Sequence, residues 1–210
     1  MKHYKRLIVE INSEYKTSHI AGASLNVLKQ SISDIEYFDF LTNGVNGGFF
    51  FRNSLQVYSL DDVNDYNNIM IINKYMETNY SNMLEGEFFF AQDIFGNQFG
   101  FSTKGIVFFN IETGEKEYVA ERFNDWIDLI FNDLEYYSGV VILELWDSKK
   151  THINYNERLC PIIPFVVGGE YEIENLYAGS FPNYILANAN IANQVYNLPE
   201  GTDIQLKPID

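Results

Sequence analysis

The sequence is poor in the residues that carry most redox, metal and covalent chemistry. It holds one cysteine, Cys160, so no disulfide can form within the chain, and a reducing compartment is implied. Cys160 stands beside Pro161 in an apolar run where nothing would lower a thiol pKa, so it reads as an inert buried residue rather than a nucleophile. The three histidines, His3, His19 and His152, are not spaced as metal ligands are, and no His-Glu-x-x-His occurs. No Gly-x-Ser-x-Gly elbow is present. No metal and no cofactor is therefore expected. Long apolar runs are missing too. None approaches the ~18 residues a membrane helix needs, and Leu7-Ile8-Val9 is cut off by Glu10 before it could serve as a signal-peptide core. The expected location is the cytoplasm.

Basic residues are scarce. Lys and Arg number 14 against 29 Asp and Glu, a formal charge of -15. The deficit is uneven: six basic and five acidic residues in 1–60, four and fifteen in 61–140, four and nine in 141–210. A phosphate backbone would be repelled, which argues against nucleic acid as a direct partner. A basic protein would be attracted and its association hastened. Net charge also keeps an aromatic-rich protein soluble, and composition alone does not separate the two roles.

What the sequence has is aromatic and apolar. Seventeen phenylalanines and fifteen tyrosines sit in 210 residues that are 46% hydrophobic. That length suits one domain, 1–210, with 139–210 as an extension packed on it, since the stripes of the last seventy residues are too narrow to form a core alone. No repeat, low-complexity run or flexible linker interrupts it.

The most informative stretch is Glu85 to Leu134. Four strands are expected, at Glu87–Ile94, Gln98–Ser102, Gly105–Ile111 and Lys116–Ala120, with Gly96-Asn97 as a two-residue hairpin turn and Glu112-Thr113-Gly114-Glu115 as a second turn. Phe123, Trp126, Ile127, Ile130, Phe131 and Leu134 then form one apolar stripe at helical period. The expected class is α+β: a mostly antiparallel sheet with helices packed on one face.

Elsewhere, Leu7, Val9 and Ile11 alternate with polar neighbours and suggest a strand over Arg6–Tyr15. Ser33-Asp34-Ile35-Glu36 reads as a capping box, opening a helix with Ile35, Phe38 and Leu41 on one face. Gly47-Gly48 lacks the Lys-Ser/Thr of a phosphate loop and reads as a turn. Asn67–Tyr75 fits helix or strand. The β-branched run Gly139–Trp146 favours a strand. The prolines in 159–169 argue for an irregular or edge segment. A last helix starts at Pro182, with Ile185, Ala189, Ala192 and Val195 as its stripe, and a final strand is expected from Gly201 to Ile209.

The order of these pieces resembles the SUKH superfamily, whose name-giving branch is the Smi/Knr cell-wall-regulator family. The matching parts are the short helix running into Asn46-Gly47-Gly48, Phe-Ala-Gln-Asp-Ile-Phe-Gly-Asn-Gln-Phe from Phe90 to Phe99, Gly105-Ile106-Val107 with the Glu112-Thr113-Gly114 turn, and the Phe123/Trp126 helix. The segment Pro164–Tyr171 with Asn175–Ala178 is similar to a tail found in some members. The resemblance covers Ile35 to Leu134 and rests on apolar and turn patterns rather than on a catalytic signature. It implies a non-enzymatic immunity protein that neutralises a polymorphic protein toxin, often a nuclease; the alternative within the superfamily is a regulatory or scaffold domain.

Local charge, not a family motif, nominates the partner-binding residues. These are Asp61, Asp62, Asp65, Glu85, Glu87 and Asp93, with Tyr66 as an aromatic anchor against a basic toxin. Asp61, Asn64 and Asp65 lack the Gly and distal Glu of an EF-hand loop. A carboxylate hydrolase would need two acids facing across a cleft; Glu85 and Glu87 share a strand face and Asp93 points away from it. Tyr4, Tyr15, Tyr66, Tyr75, Tyr80, Tyr136 and Tyr137 lie in polar surroundings and are candidates for interface contact.

Overall fold

Six short strands follow one another in an antiparallel meander, in sequence order from edge to edge. They are β1 (Gly48–Phe50), β2 (Leu55–Val57), β3 (Phe88–Gln92), β4 (Gln98–Ser102), β5 (Gly105–Phe109) and β6 (Lys116–Ala120). The computed structural model describes residues 2–199 and 201–207. Before and between the strands come α1 (Tyr4–Val9), α2 (Gly22–Ser31), α3 (Ile35–Asp39) and α4 (Ile69–Asn79). After them come α5 (Phe123–Asn132), α6 (Leu134–Ser138) and α7 (Val140–Lys149), a separate hairpin of β7 (Glu157–Pro161) and β8 (Leu176–Ser180), and α8 (Asn183–Val195). The class is α+β.

Helices cover both faces of the sheet rather than one. On the first face Phe90 meets Trp126 of α5 at 5.0 Å and Tyr37 of α3 at 5.5 Å between ring centroids, and Phe99 meets Trp126 at 5.4 Å. The expected stripe of α5 is buried there, through Phe123, Trp126, Ile127 and Ile130. On the second face Phe89 and Phe109 lie 5.5 Å apart, and Tyr80, at the end of α4, stands edge-on to Phe109. The Tyr80 hydroxyl donates to Ile111 O at 2.8 Å. Ile185, Ala189 and Ala192 of α8 join the same core, as the stripe in the sequence required. Two faces are covered because β3 carries Phe89 and Phe90 side by side. Neighbouring residues of a strand point oppositely, so both sides need a lid.

Five local expectations are corrected. Residues 4–9 form α1, not a strand. Tyr4, Leu7, Ile8 and Ile11 also fit a helical spacing; Tyr4 and Leu7 are buried while Val9 is exposed. Residues 140–149 form α7. Strand propensity spans only ~1 kcal/mol, whereas burying Leu143 and Trp146 in a second small core with Ile94, Leu159, Ile173 and Leu176 is worth about 1.5–3 kcal/mol each. In α3 the cap is Asp34, one residue after Ser33, so Tyr37, Phe40 and Leu41 turn inward and Ile35 is 82% exposed. The β3–β4 connection is five residues long, Asp93 to Asn97, with Gly96 at φ 88. Residues 201–207 contain no strand; Ile209 lies outside the described residues.

Candidate protein-recognition surface

The nominated residues fall in three separate places. Asp61, Asp62, Asp65 and Tyr66 share the loop before α4. The Asp61 carboxylate accepts from Ala21 N at 2.8 Å. Asp62 is buried and accepts from Tyr15 Oη at 3.2 Å, Asn64 N at 2.9 Å and Asn67 Nδ2 at 2.9 Å, so it organises the loop from inside. Asp65 is exposed, and Tyr66 is half-buried with its ring 6.5 Å from Tyr15. Glu85 and Glu87 lie near the start of β3 and share Lys116, at 3.4 and 2.9 Å. The Glu87 carboxylate is enclosed; burial opposes its charge, but the Lys116 ammonium and backbone donors outweigh that and hold its pKa below the ordinary value. Of the six acids, Asp62, Glu87 and Asp93 are internal ties, so they do not form one acidic surface.

Asp93 is the clearest case. It is 2% exposed at the base of the β3–β4 loop. Its carboxylate accepts from Phe95 N, Asn97 N and Asn97 Nδ2, each at 2.8 Å. Burial pushes its pKa up to about 7, against the pull of those donors and of the Arg158 charge. Between the ordinary value near 3.8 and about 7 the folded protein keeps a proton that the unfolded chain has released. Stability therefore falls as pH rises through that window, by a few kcal/mol at most, at about 1.36 kcal/mol per pKa unit. Asp93→Asn is expected to flatten the urea midpoint between those pH values. Parallel profiles for the two proteins would show that another group sets the slope.

Sequence reading missed the polar row on the second face of the sheet. Register places Phe49, Gln56, Gln92, Gln98, Phe109 and Lys116 directly opposite one another across the strands. The Gln56 and Gln92 amides meet at 2.7 Å. Gln56 Oε1 accepts in that contact, and its Nε2 donates to Asn67 Oδ1 at 2.7 Å, which links the row to Asp62. Arg158 of β7 closes it from above and is 2% exposed. Its Nη2 and Nε lie 2.9 and 3.0 Å from the Gln92 amide. Each glutamine stands alone in its strand; only pairing register makes them a row.

A group of aromatic rings lies elsewhere, where the β3–β4 loop, α6 and the β7–β8 connection converge. Phe165 and Tyr171 stack with ring centroids 3.8 Å apart and planes 6° from parallel. Phe95 stands edge-on to both, at 6.0 and 5.7 Å. Tyr136, 59% exposed, leans edge-on against Tyr137 at 4.8 Å and lies 6.3 Å from Phe108. Burial, then the nearby charge of Glu117, raises the pKa of the Tyr137 hydroxyl beneath. Glu117, Asp133, Glu135, Glu170 and Glu172 are exposed, and the charges of Glu117 and Asp133 reach the Tyr137 hydroxyl. Residues 105–139 hold eight acidic and two basic side chains, and Lys116 and Arg122 are both already in ion pairs. Of the tyrosines singled out in the sequence, Tyr136 is exposed, Tyr4, Tyr80 and Tyr137 are buried, and Tyr15, Tyr66 and Tyr75 are half-buried. Among the described residues no group of three His, Cys, Asp or Glu could hold a metal ion, and no helix is long and apolar enough to cross a membrane.

No family model matches the chain, and no curated protein matches it. Among solved structures, the chain is similar to the crystal structure of Atu4351 from Agrobacterium tumefaciens, with a TM-score of 0.64 and 14% identity over 90% of this chain and 87% of that one. At that identity the likeness is one of fold: the chain shares its α+β architecture with the Atu4351 protein.

Proposed function

We propose that this chain is a non-enzymatic protein-binding domain of immunity type, which neutralises a basic protein toxin by covering its substrate-binding face. One observation carries the reading. An aromatic platform joins packed Phe95, Phe165 and Tyr171 to exposed Tyr136, whose charge reaches Tyr171, and exposed acids next to these residues along the chain have no ion-pair partners among the described residues. Aromatic anchors supply contact area at small cost in side-chain entropy, and a single-sign rim speeds capture of an oppositely charged partner. The immunity role itself rests on the SUKH resemblance and on net charge. The nominated acids Asp61, Asp65 and Glu85 would add to the long-range field, whereas the rings would set the lifetime of the complex.

The test is a pull-down with the tagged full chain from lysate of its source cells, at low and high salt, read by mass spectrometry. A basic toxin-like domain should be retained at low salt and loosened at high salt. Tyr136→Ala with Tyr171→Ala should abolish retention at both. Each lost anchor is expected to cost about 2 kcal/mol of binding. Retention unchanged by the double substitution would remove the platform from the argument. A captured partner without excess positive charge would remove the electrostatic part.

A further inference from the structure

The sheet ends in two edge strands, β1 and β6. The outer side of β1 is closed by the chain itself. Asn12 N donates to Phe49 O at 2.7 Å, Phe51 N donates to Glu10 O at 3.0 Å, and Ile11 bridges Phe50 between them. On its outer side β6 pairs with no strand among the described residues. Open edges invite further strands, and proteins blunt them with charge or bulges. The charge along the strand is mainly negative, with Lys104 and the ion-paired Arg122 beside its last residues. Glu115, Glu117 and Glu121 are exposed along and beside the strand with no ion pair among the described residues. Lys116 is turned away, onto Glu87 at 2.9 Å and Glu85 at 3.4 Å.

That arrangement discriminates between occupants. A second copy of this edge would set carboxylates against carboxylates, which destabilises cross-strand pairing. A strand carrying Lys or Arg would place opposite charges in the same positions. Tyr118, 50% exposed, offers ring area to whatever lies beside it. Glu117 is also register-paired with Phe108, which lies 6.3 Å from Tyr136, so the edge runs into the aromatic platform.

We propose that β6 takes up an extended, Lys- or Arg-rich segment of a protein partner as a seventh strand of the sheet. The proposal rests on the protein-binding reading above and specifies the conformation and charge of the bound segment. Backbone hydrogen bonds to β6 would supply affinity, and the glutamates would select against uncharged or acidic strands.

Two synthetic probes test it on the full chain: an acetylated and amidated peptide alternating Lys and Val, and the same peptide N-methylated at alternate residues. Both carry the same charge, but only the first can complete a ladder. The unmethylated peptide should slow amide exchange over Glu115–Ala120 and bind more weakly as salt rises. The methylated peptide should bind at least about tenfold more weakly, and replacing Glu115, Glu117 and Glu121 together by Gln should cost about tenfold. Equal binding of the two peptides, protection confined to other segments, or no binding at millimolar peptide would overturn strand addition. Self-association of the peptide-free protein with protection of β6 would put a second copy there and overturn the basic partner. The platform reading fails by a different result, retention of the captured toxin by the Tyr136→Ala, Tyr171→Ala protein, which leaves the peptide outcome untouched.

Discussion

Replacing Arg158 by alanine is expected to destabilise the fold by about 3–5 kcal/mol, the cost of breaking a buried polar cluster by removing one side. The guanidinium is enclosed between β7 and the polar row of the sheet. Its partners are carbonyls and an amide rather than a carboxylate: Nη1 donates to Tyr155 O at 3.4 Å and to Glu157 O, while Nη2 and Nε face Gln92. It also lies 5.7 Å from the ring of Phe49. Removal takes away the donor that these buried groups share. For a chain of this length the loss corresponds to roughly 6–20 °C in Tm. Arg158→Met restores the stem but no donor, so it should recover only part of the loss. A second consequence separates this account from a simple cavity. The Arg158 charge helps hold the Asp93 pKa down to about 7, so the variant should lose its pH-dependent stability over a window extending to higher pH. A loss below about 1 kcal/mol would mean that the cluster accommodates the change without stranding polar groups.

Asp34→Ala carries the second large effect. One carboxylate serves two helices. Its Oδ1 accepts from Tyr37 N of α3 at 2.9 Å, and its Oδ2 accepts from Phe123 N of α5, 89 residues away, at 2.9 Å. Arg122, the residue that precedes α5, makes no side-chain cap of its own, so Asp34 caps α5 from a distance. Each cap is worth about 0.5–2 kcal/mol, and negative charge at two N-termini adds to that. The expected cost is about 2–3 kcal/mol in urea unfolding. Amide exchange should rise at Tyr37 and Phe123 together. Asp34→Asn has one acceptor oxygen left and should release one of the two amides. If only the Tyr37 amide responds to alanine, α5 is held by packing alone and the bridging role fails.

Much of the fold was legible in local pattern. The bounds of β4 and β6 follow from alternation and turn residues, and the α5 and α8 stripes from helical period. The errors share a cause. In residues 6–11 and 140–146, short apolar runs fit two periods, and contacts far along the chain chose between them. Ile94, Leu159 and Leu176 make α7 a helix, and none of them is its sequence neighbour. The site was less legible than the fold. Charge density located acids but did not separate Glu85, exposed, from Asp62 and Asp93, buried and already bonded.

The sequence by itself determined the strands from β3 to β6, the apolar stripes of α5 and α8, the negative charge and the lack of redox and metal motifs, because these depend on composition and on spacing within ten or so residues. Tertiary structure alone decided which faces are covered, which acids are structural, and which rings meet at the surface. Glu87 finds Lys116, Asp34 finds Phe123, and Gln92 finds Arg158 across 29, 89 and 66 residues of chain respectively. Local spacing carries no information about such pairs. They are fixed by strand register and by the way the packed layers close, and they decide which carboxylates are buried and bonded and which stay exposed.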